Sequence, residues 1–473
     1  MGIIFGALPG INASMGVALL LPLTYGMSPI AALSMLLGIY TGAMYGGSIT
    51  AILINTPGTT AAACTAFDGY KLAIKGKAGK ALGMSNIASF IGGVFSLIVL
   101  MILAPLLAKV AISFGPPEYF ALAVFGLSVI TSLAGEHLVK GLLSGAFGLL
   151  LGTVGLDLIN GSPRYTFGMY NLFDGISFIP VLIGLFAIAQ VLLNAESKES
   201  IYLRTKKIGF LEQLPSFSEL KSVMVSILNS SVIGTFIGIL PGAGATIASF
   251  ICYNEAKRWS KHPEEFGEGS LEGVAAPEAG NNAATGGAMV PLLSLGIPGS
   301  ETTAVLLGAF MIQGISPGPL LFRDHIDVVY GIFAGLILAN IAFLIMGLIS
   351  VNFFVKVIQI PNRILYPLII ALAFVGAYSV KNSLFDVGLM LLFGIVGYFM
   401  KKLEFPTAPV VLALVLGPMA EGSLRRAMIM SHGSWAIFVQ RPITLVLLLL
   451  TLFSLFFPFL REKLSKKKLS ENL

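Results

Sequence analysis

Charge is what this sequence has least of. Only 11% of its 473 residues are Asp, Glu, Lys or Arg, against about 25% in soluble domains. So few ionic groups cannot clothe a water-soluble globule of this length. Cysteine is nearly as rare: Cys64 and Cys252 both sit in apolar runs, without metal-type spacing. They read as small buried hydrophobes and not as a disulfide. The four histidines, His137, His262, His325 and His432, all fall near expected loops, which argues against an intramembrane hydrolase. No basic stripe carries interleaved aromatics, so the net charge of +6 points to basic loops at a membrane and not to nucleic acid. The apolar start, Met1–Leu8, lacks the basic n-region and cleavage site of a signal peptide.

What remains is a membrane protein. Hydrophobic residues make up 56% of the chain and the mean hydropathy is +0.90. With 54 Gly and 24 Pro, this is the composition of polytopic helices that touch closely and break. Two breaks organise the rest. Gly286–Thr303 reads GGAMVPLLSLGIPGSETT, where Pro291 and Pro298 each delete a backbone donor and Gly296 and Gly299 flank the second proline. A helix entering here should break at Gly296–Gly299 and restart near Ser300. Gly46–Thr60, GGSITAILINTPGTT, repeats the pattern with its break at Asn55–Gly58. In lipid such breaks are tolerated only where protein or a water-filled cavity surrounds them. Two in matching places point to the binding site of a secondary transporter.

Spans are expected at Ala13–Tyr25, Pro29–Tyr45, Gly83–Ala108, Tyr119–Leu133, Val139–Leu156 and Phe178–Leu193. Further spans follow at Ser222–Leu240, Val328–Phe354, Ile364–Tyr378, Leu384–Met400, Thr407–Leu416 and Trp435–Phe457, with a shorter apolar segment at Ala243–Asn254. The polar connector Asn194–Lys221 reads as a surface hinge, with Ser216 and Glu219 placed as a capping box for the next helix. GALPG at Gly6–Gly10 matches GILPG at Gly238–Gly242, and NTPG at Asn55–Gly58 matches GIPG at Gly296–Gly299. Gly115-Pro116-Pro117 matches Ile360-Pro361-Asn362 in the same order. Three ordered matches read as two copies and not as chance.

Placing Lys71–Lys80, the connector and the basic tail Arg461–Lys468 in the cytoplasm puts most of the 29 Lys and Arg on that side. The second copy's matching loop, Gly314–Asp327, then falls outside, so the copies are inverted. Arg425 and Arg426 also fall outside, and fit this scheme least well. The expected fold class is an all-α polytopic membrane protein with two inverted repeats, broken or re-entrant helices and about 11–12 spans. Residues 1–176 form the first repeat and 177–221 a linking helix and cytoplasmic connector. Residues 222–421 form the second repeat, and 422–473 a C-terminal helix and basic tail.

At this point the residues resemble a known family. The LPG break, GGSITAILINTPG followed by FDGY, and PEAGNNAA, IPGS and GISPGPLLF are similar to the large membrane subunit of the tripartite tricarboxylate transporters, the TctA family. The resemblance runs from Gly6 to about Glu421. It implies a multi-pass protein of the bacterial cytoplasmic (inner) membrane that takes up a carboxylate. It implies two partners, a periplasmic (extracytoplasmic) solute-binding protein and a small four-helix membrane subunit, besides the membrane lipid itself. It also implies coupling to a cation and not to ATP, and no nucleotide motif is present. One departure is clear: the family has a full helix before the first LPG motif, whereas this chain offers Met1–Leu8. The natural gene is therefore expected to start upstream, or this copy to lack half a helix.

A di- or tricarboxylate needs donors that bind it and then release it. Half-helix N-termini supply N–H groups and partial positive charge. The segments restarting after Pro57-Gly58 and Pro298-Gly299 open with Thr59, Thr60, Ser300, Thr302 and Thr303, all hydroxyl-bearing. Together with Asn55, Thr56, Pro57, Gly58, Gly296, Pro298 and Gly299 these form the expected substrate site. Gly10, Asn12, Ser14, Gly242, Thr246, Asn281 and Ser294 are further candidates. The competing reading makes such Ser and Thr helix caps or packing residues. No Arg or Lys lies in either broken stretch, so carbonyls near Thr56 and Ile297 are expected to hold Na⁺, with H⁺ as the alternative coupling ion. Glu278 and Glu301 are the acids near the second break, and an acid at membrane depth is a functional candidate. Glu301 reads as a helix cap, Asp68 as a surface turn before Gly69, and the acidic run around His262 as a solvated loop. A channel is the alternative function, but charge rings and repeated filter carbonyls are missing.

Overall fold

A chain this apolar must satisfy its backbone internally, and helices do so. The computed structural model describes residues 1–8, 11–111, 113–128, 138–157, 160–196, 208–242, 244–358 and 360–453. It is 80% helical. Among the described residues the strands are the two-residue antiparallel pair Gly155–Leu156 and Pro163–Arg164. Among the described residues seven helices are long and apolar enough to cross a membrane, and five shorter apolar helices accompany them.

The first half contains α1 (Gly2–Ala7), α2 (Ala13–Leu20), α3 (Pro29–Ile54), α4 (Ala63–Ile74), α5 (Ala78–Ala111), α6 (Pro116–Ser128), α7 (Leu138–Gly152) and α8 (Phe178–Glu196). The second contains α9 (Phe217–Ile239), α10 (Gly244–Trp259), α11 (Leu271–Leu295), α12 (Glu301–Ile312), α13 (Ile326–Ile349), α14 (Asn362–Lys381), α15 (Leu384–Lys402) and α16 (Ala408–Met430). The two expected breaks are both present. Helix α3 runs unbroken through Gly46–Ile54, and α11 tolerates Pro277 and Pro291 before ending at Leu295. The box at the start of α9 is as expected: the Glu219 carboxylate accepts the Ser216 N–H at 2.7 Å. The expected span Thr407–Leu416 is longer, because α16 continues to Met430.

Glycine sets how the helices meet, and it does so twice. On α1, side chains at Gly2 and Gly6 would collide with the α3 backbone at Ile39 and Ala43; on α9, side chains at Gly234 and Gly238 would collide with α11 at Gly280 and Ala284. Gly46 of α3 abuts Ile3, and Gly287 of α11 abuts Thr235. These are corresponding positions in the two half-chains. In each, a helix ending before an LPG sequence runs parallel to the broken helix at backbone contact, as small residues permit. The short α1 thus sits where the last turns of α9 sit in the other half.

The broken helices themselves run antiparallel. Ser48 of α3 meets Glu278 of α11, and Met44 meets Asn281, so one register falls as the other rises. Each broken helix also packs along a long helix of the opposite half. Gly331 and Gly335 of α13 press on Ile30 and Ser34 of α3, while Gly92 of α5 presses on Ala279 of α11.

One expectation is overturned. Asp68 is not a surface turn: it lies within α4 and is fully buried. One carboxylate oxygen accepts the N–H groups of Gly267, Gly269 and Ser270 at 2.7–2.9 Å, and the other accepts the Tyr253 hydroxyl at 2.8 Å. The acid anchors the loop that enters α11, because a buried carboxylate needs several donors. The part of the connector after residue 207 is tied to neighbouring helices. Ile208 exchanges two backbone bonds with the Asn352 side chain, and Lys80 pairs with Glu219 at 2.5 Å. Lys198, Arg204, Lys206, Lys207, His137 and the basic tail lie outside the described residues.

Arg425 is less exceptional than its sequence position suggests. It pairs with Asp157 at 2.9 Å and Glu421 at 2.7 Å, and Glu421 also holds Arg164 at 2.8 Å. Two acids offset two arginines there.

Candidate functional site

Both breaks end their helices in the same way. At the end of α3, Asn55 turns left-handed (φ 54°), and the Thr56 N–H reaches back to the Thr50 carbonyl at 3.4 Å. At the end of α11, Gly296 turns left-handed (φ 72°), and the Ile297 N–H reaches the Pro291 carbonyl at 3.2 Å. Each helix ends on a left-handed residue, a position that favours Gly or Asn. The proline that follows, Pro57 or Pro298, then prevents the helix from continuing.

After the second break Ser300 caps α12. Its hydroxyl accepts the Thr303 N–H at 3.3 Å, and Thr303 Oγ1 accepts the Ser300 N–H at 2.7 Å. After the first break Thr59 leads into a single 3-10 turn, Thr60–Ala62, before α4 begins. The two restarts do not face each other directly. Each meets the helix that follows the LPG sequence of the other half. The Thr60 hydroxyl lies 2.7 Å from that of Thr246 in the first turn of α10, and the Ser14 hydroxyl of α2 lies 3.0 Å from Thr302 of α12. Four helix beginnings are thereby joined in two crossed pairs.

Most of the expected residues gather here. Gly242 donates its N–H to the Gly299 carbonyl at 3.0 Å, and Asn12 caps α2 by accepting the Met15 N–H at 2.8 Å. Thr59 is buried and its hydroxyl has no partner among the described residues. The first break is open on one side, with Asn55 and Thr60 exposed, whereas Gly296–Gly299 is buried beneath Pro317 and Gly318. Ser294 spends its hydroxyl on the Val290 carbonyl of its own helix at 2.6 Å. Asn281 sits deeper, its amide donating to Met44 at 3.4 Å. Gly10 and Pro9 lie outside the described residues.

Gly58 and Gly299 have a packing reason to be glycine. A side chain at Gly58 would strike the Gly6 carbonyl, and one at Gly299 would stand 3.0 Å from the Gly238 carbonyl and from Ala288. Two participants escaped sequence reasoning. Tyr40 of α3 reaches the Ser300 hydroxyl at 3.3 Å. Lys401 of α15 is the charged neighbour of Glu301, whose carboxylate lies by Ser14 and Asn12. Neither carries a local motif, since long-range packing alone brings them in. A separate cavity of about 650 Å³ lies by the C-terminal end of α12, lined by Arg164, Phe173, Gly308, Met311 and Glu421. None of the expected site residues lines it.

Paired broken helices with hydroxyl-lined N-termini, inside a bundle of apolar helices, define a multi-pass membrane protein of the transporter type. Residues 1–412 match the tripartite tricarboxylate transporter TctA family, and the chain belongs to that family. It is 43% identical over 448 residues to an Agrobacterium vitis protein described as an uncharacterized 52.8 kDa protein in the TAR-I ttuC' 3' region, covering 95% of this chain and 89% of that one. It is likewise 43% identical over 215 residues to a second protein of that organism, described as lying in the TAR-II ttuC' 3' region. That match covers 46% of this chain and 89% of the relative. No solved structure matches the chain.

Proposed function

We propose that this chain is the large permease subunit of a binding-protein-dependent secondary transporter, importing a di- or tricarboxylate across the bacterial cytoplasmic membrane with Na⁺. The observation that carries the reading is the crossed pairing of four helix beginnings, Ser14 with Thr302 and Thr60 with Thr246. Helix N-termini offer N–H groups and partial positive charge to an anion at little desolvation cost. The hydroxyls of Thr59, Thr60, Ser300 and Thr302 add donors.

A polyanion held mainly by dipoles needs cations beside it, which favours symport of Na⁺. The carbonyls of Thr56 and Ile297, next to the left-handed turns, are candidate ligands. The antiparallel course of α3 and α11, and the matched glycine contacts of the two halves, support an inverted repeat. Alternating access follows if the two broken stretches move together against the remaining helices. A periplasmic binding protein delivers the substrate, and a small membrane subunit completes the complex.

Counterflow in proteoliposomes containing both membrane subunits and the binding protein tests this reading. A carrier exchanges labelled carboxylate for unlabelled carboxylate inside, a channel only conducts, and a hydrolase alters its substrate.

A further inference from the structure

Glu278 of α11, like Asp68, has no exposed surface at all. Three hydroxyls from three different helices surround its carboxylate: Ser48 of α3, Thr65 of α4 and Ser89 of α5, the last at 2.9 Å. No basic side chain pairs with it among the described residues. A carboxylate fully out of water and without a counter-charge is costly. Two further oxygen-bearing side chains belong to the same faces. Asn282 stands one helical turn further along α11, and Ser85 one turn before Ser89 on α5, so both share its face. Asn282 Oδ1 is buried without a hydrogen-bond partner among the described residues, and the Ser85 hydroxyl lies beside the Glu278 carboxylate.

We propose that Glu278 is the ligand of a monovalent coupling cation, Na⁺, completed by the hydroxyls of Ser48, Thr65, Ser85 and Ser89 and the Asn282 amide oxygen. Hard cations take oxygen ligands, and a single carboxylate balances a single positive charge. A proton would neutralise Glu278 but leave the Asn282 oxygen unsatisfied. The inference rests on the transporter reading and adds to it a cation site away from the two breaks. It also supplies a coupling route. Thr65 belongs to the helix that restarts after the first break, and Glu278 to the second broken helix. A cation between them ties the segment bearing Thr59 and Thr60 to α11. Cation and anion then favour the same arrangement, and each raises the other's affinity by the same factor.

The test is thermal unfolding of the purified full chain without carboxylate, titrated with NaCl against choline chloride at constant ionic strength. The wild type should gain a saturable, Na⁺-specific rise in melting temperature, and Glu278→Gln should lose it. Ser89→Ala and Asn282→Ala should raise the half-saturating Na⁺ concentration about tenfold, as expected for one lost ligand. These two variants decide the matter if Glu278→Gln does not fold. A wild type without a Na⁺-specific rise overturns the site, as does an unchanged rise in Glu278→Gln or unchanged midpoints in the other two. Wild-type counterflow, measured alongside, separates the readings. Exchange without a Na⁺ effect removes the cation site and leaves the transporter. A Na⁺ effect without exchange removes the transporter and leaves the site.

Discussion

The hydroxyl of Ser14 lies 3.0 Å from that of Thr302, across 288 residues of sequence. The bond joins the first helix after one LPG sequence to the restart after the opposite break. Thr60 and Thr246 make the reciprocal connection at 2.7 Å. Each half therefore contacts the restart of the other.

If both pairs donate to a bound carboxylate, truncating either should weaken it to a similar degree. Ser14→Ala, Thr302→Val, Thr60→Val and Thr246→Val should each cost about 1 kcal/mol in apparent affinity, or roughly fivefold. Half-saturation of counterflow measures this. A loss confined to one pair would show that the site is not shared between the halves.

Asp68 holds the entry to α11 through three backbone N–H groups and the Tyr253 hydroxyl. Asp68→Ala should destabilise the protein by about 3 kcal/mol or more, since charged hydrogen bonds are among the strong ones. Tyr253→Phe, which removes one donor, should cost about 1–2 kcal/mol. Denaturant or thermal unfolding in detergent ranks the two, and a larger loss from Tyr253→Phe would contradict this account.

Bulky residues at Gly58 and Gly299 should abolish uptake without preventing insertion. The packing also predicts that Gly6→Leu and Gly238→Leu, at positions that carry no substrate group, are as damaging as Gly58→Leu and Gly299→Leu. Overpacking of this kind costs about 1–3 kcal/mol. Uptake and melting temperature, measured together, test it. Normal uptake in the Gly6 and Gly238 variants would mean that the glycines of the breaks serve the anion and not the helix contact.

The proposed inverted repeat makes a prediction about sidedness. A cysteine at Lys77 should react only from the cytoplasm and one at Arg323 only from outside. Membrane-impermeant thiol labelling of right-side-out and inverted vesicles decides it, and labelling of both from one side would end the inverted repeat.

Both breaks were legible because Pro57 and Pro298, with Asn55 and Gly296 before them, dictate backbone geometry locally. The capping box at Ser216 and Glu219 was legible for the same reason. Asp68 was not, since nothing near FDGY shows that residues 267–270 fold back over it. Tyr40 and Lys401 were equally hidden, because they reach the site from helices without any local signal. The packing contact of Gly58 was hidden for a related cause. Sequence announces that no side chain fits there, but only the fold names the Gly6 carbonyl as the obstacle.

The most direct test of the central claim is substrate protection at the two breaks. Single cysteines at Thr60 and Ser300 would be modified by a small thiol reagent in the assembled transporter, where the native Cys64 and Cys252 are buried. Saturating carboxylate should slow both reactions, with one shared half-saturating concentration equal to that for exchange. Unchanged labelling at both positions, in variants that still exchange carboxylate, would place the substrate elsewhere.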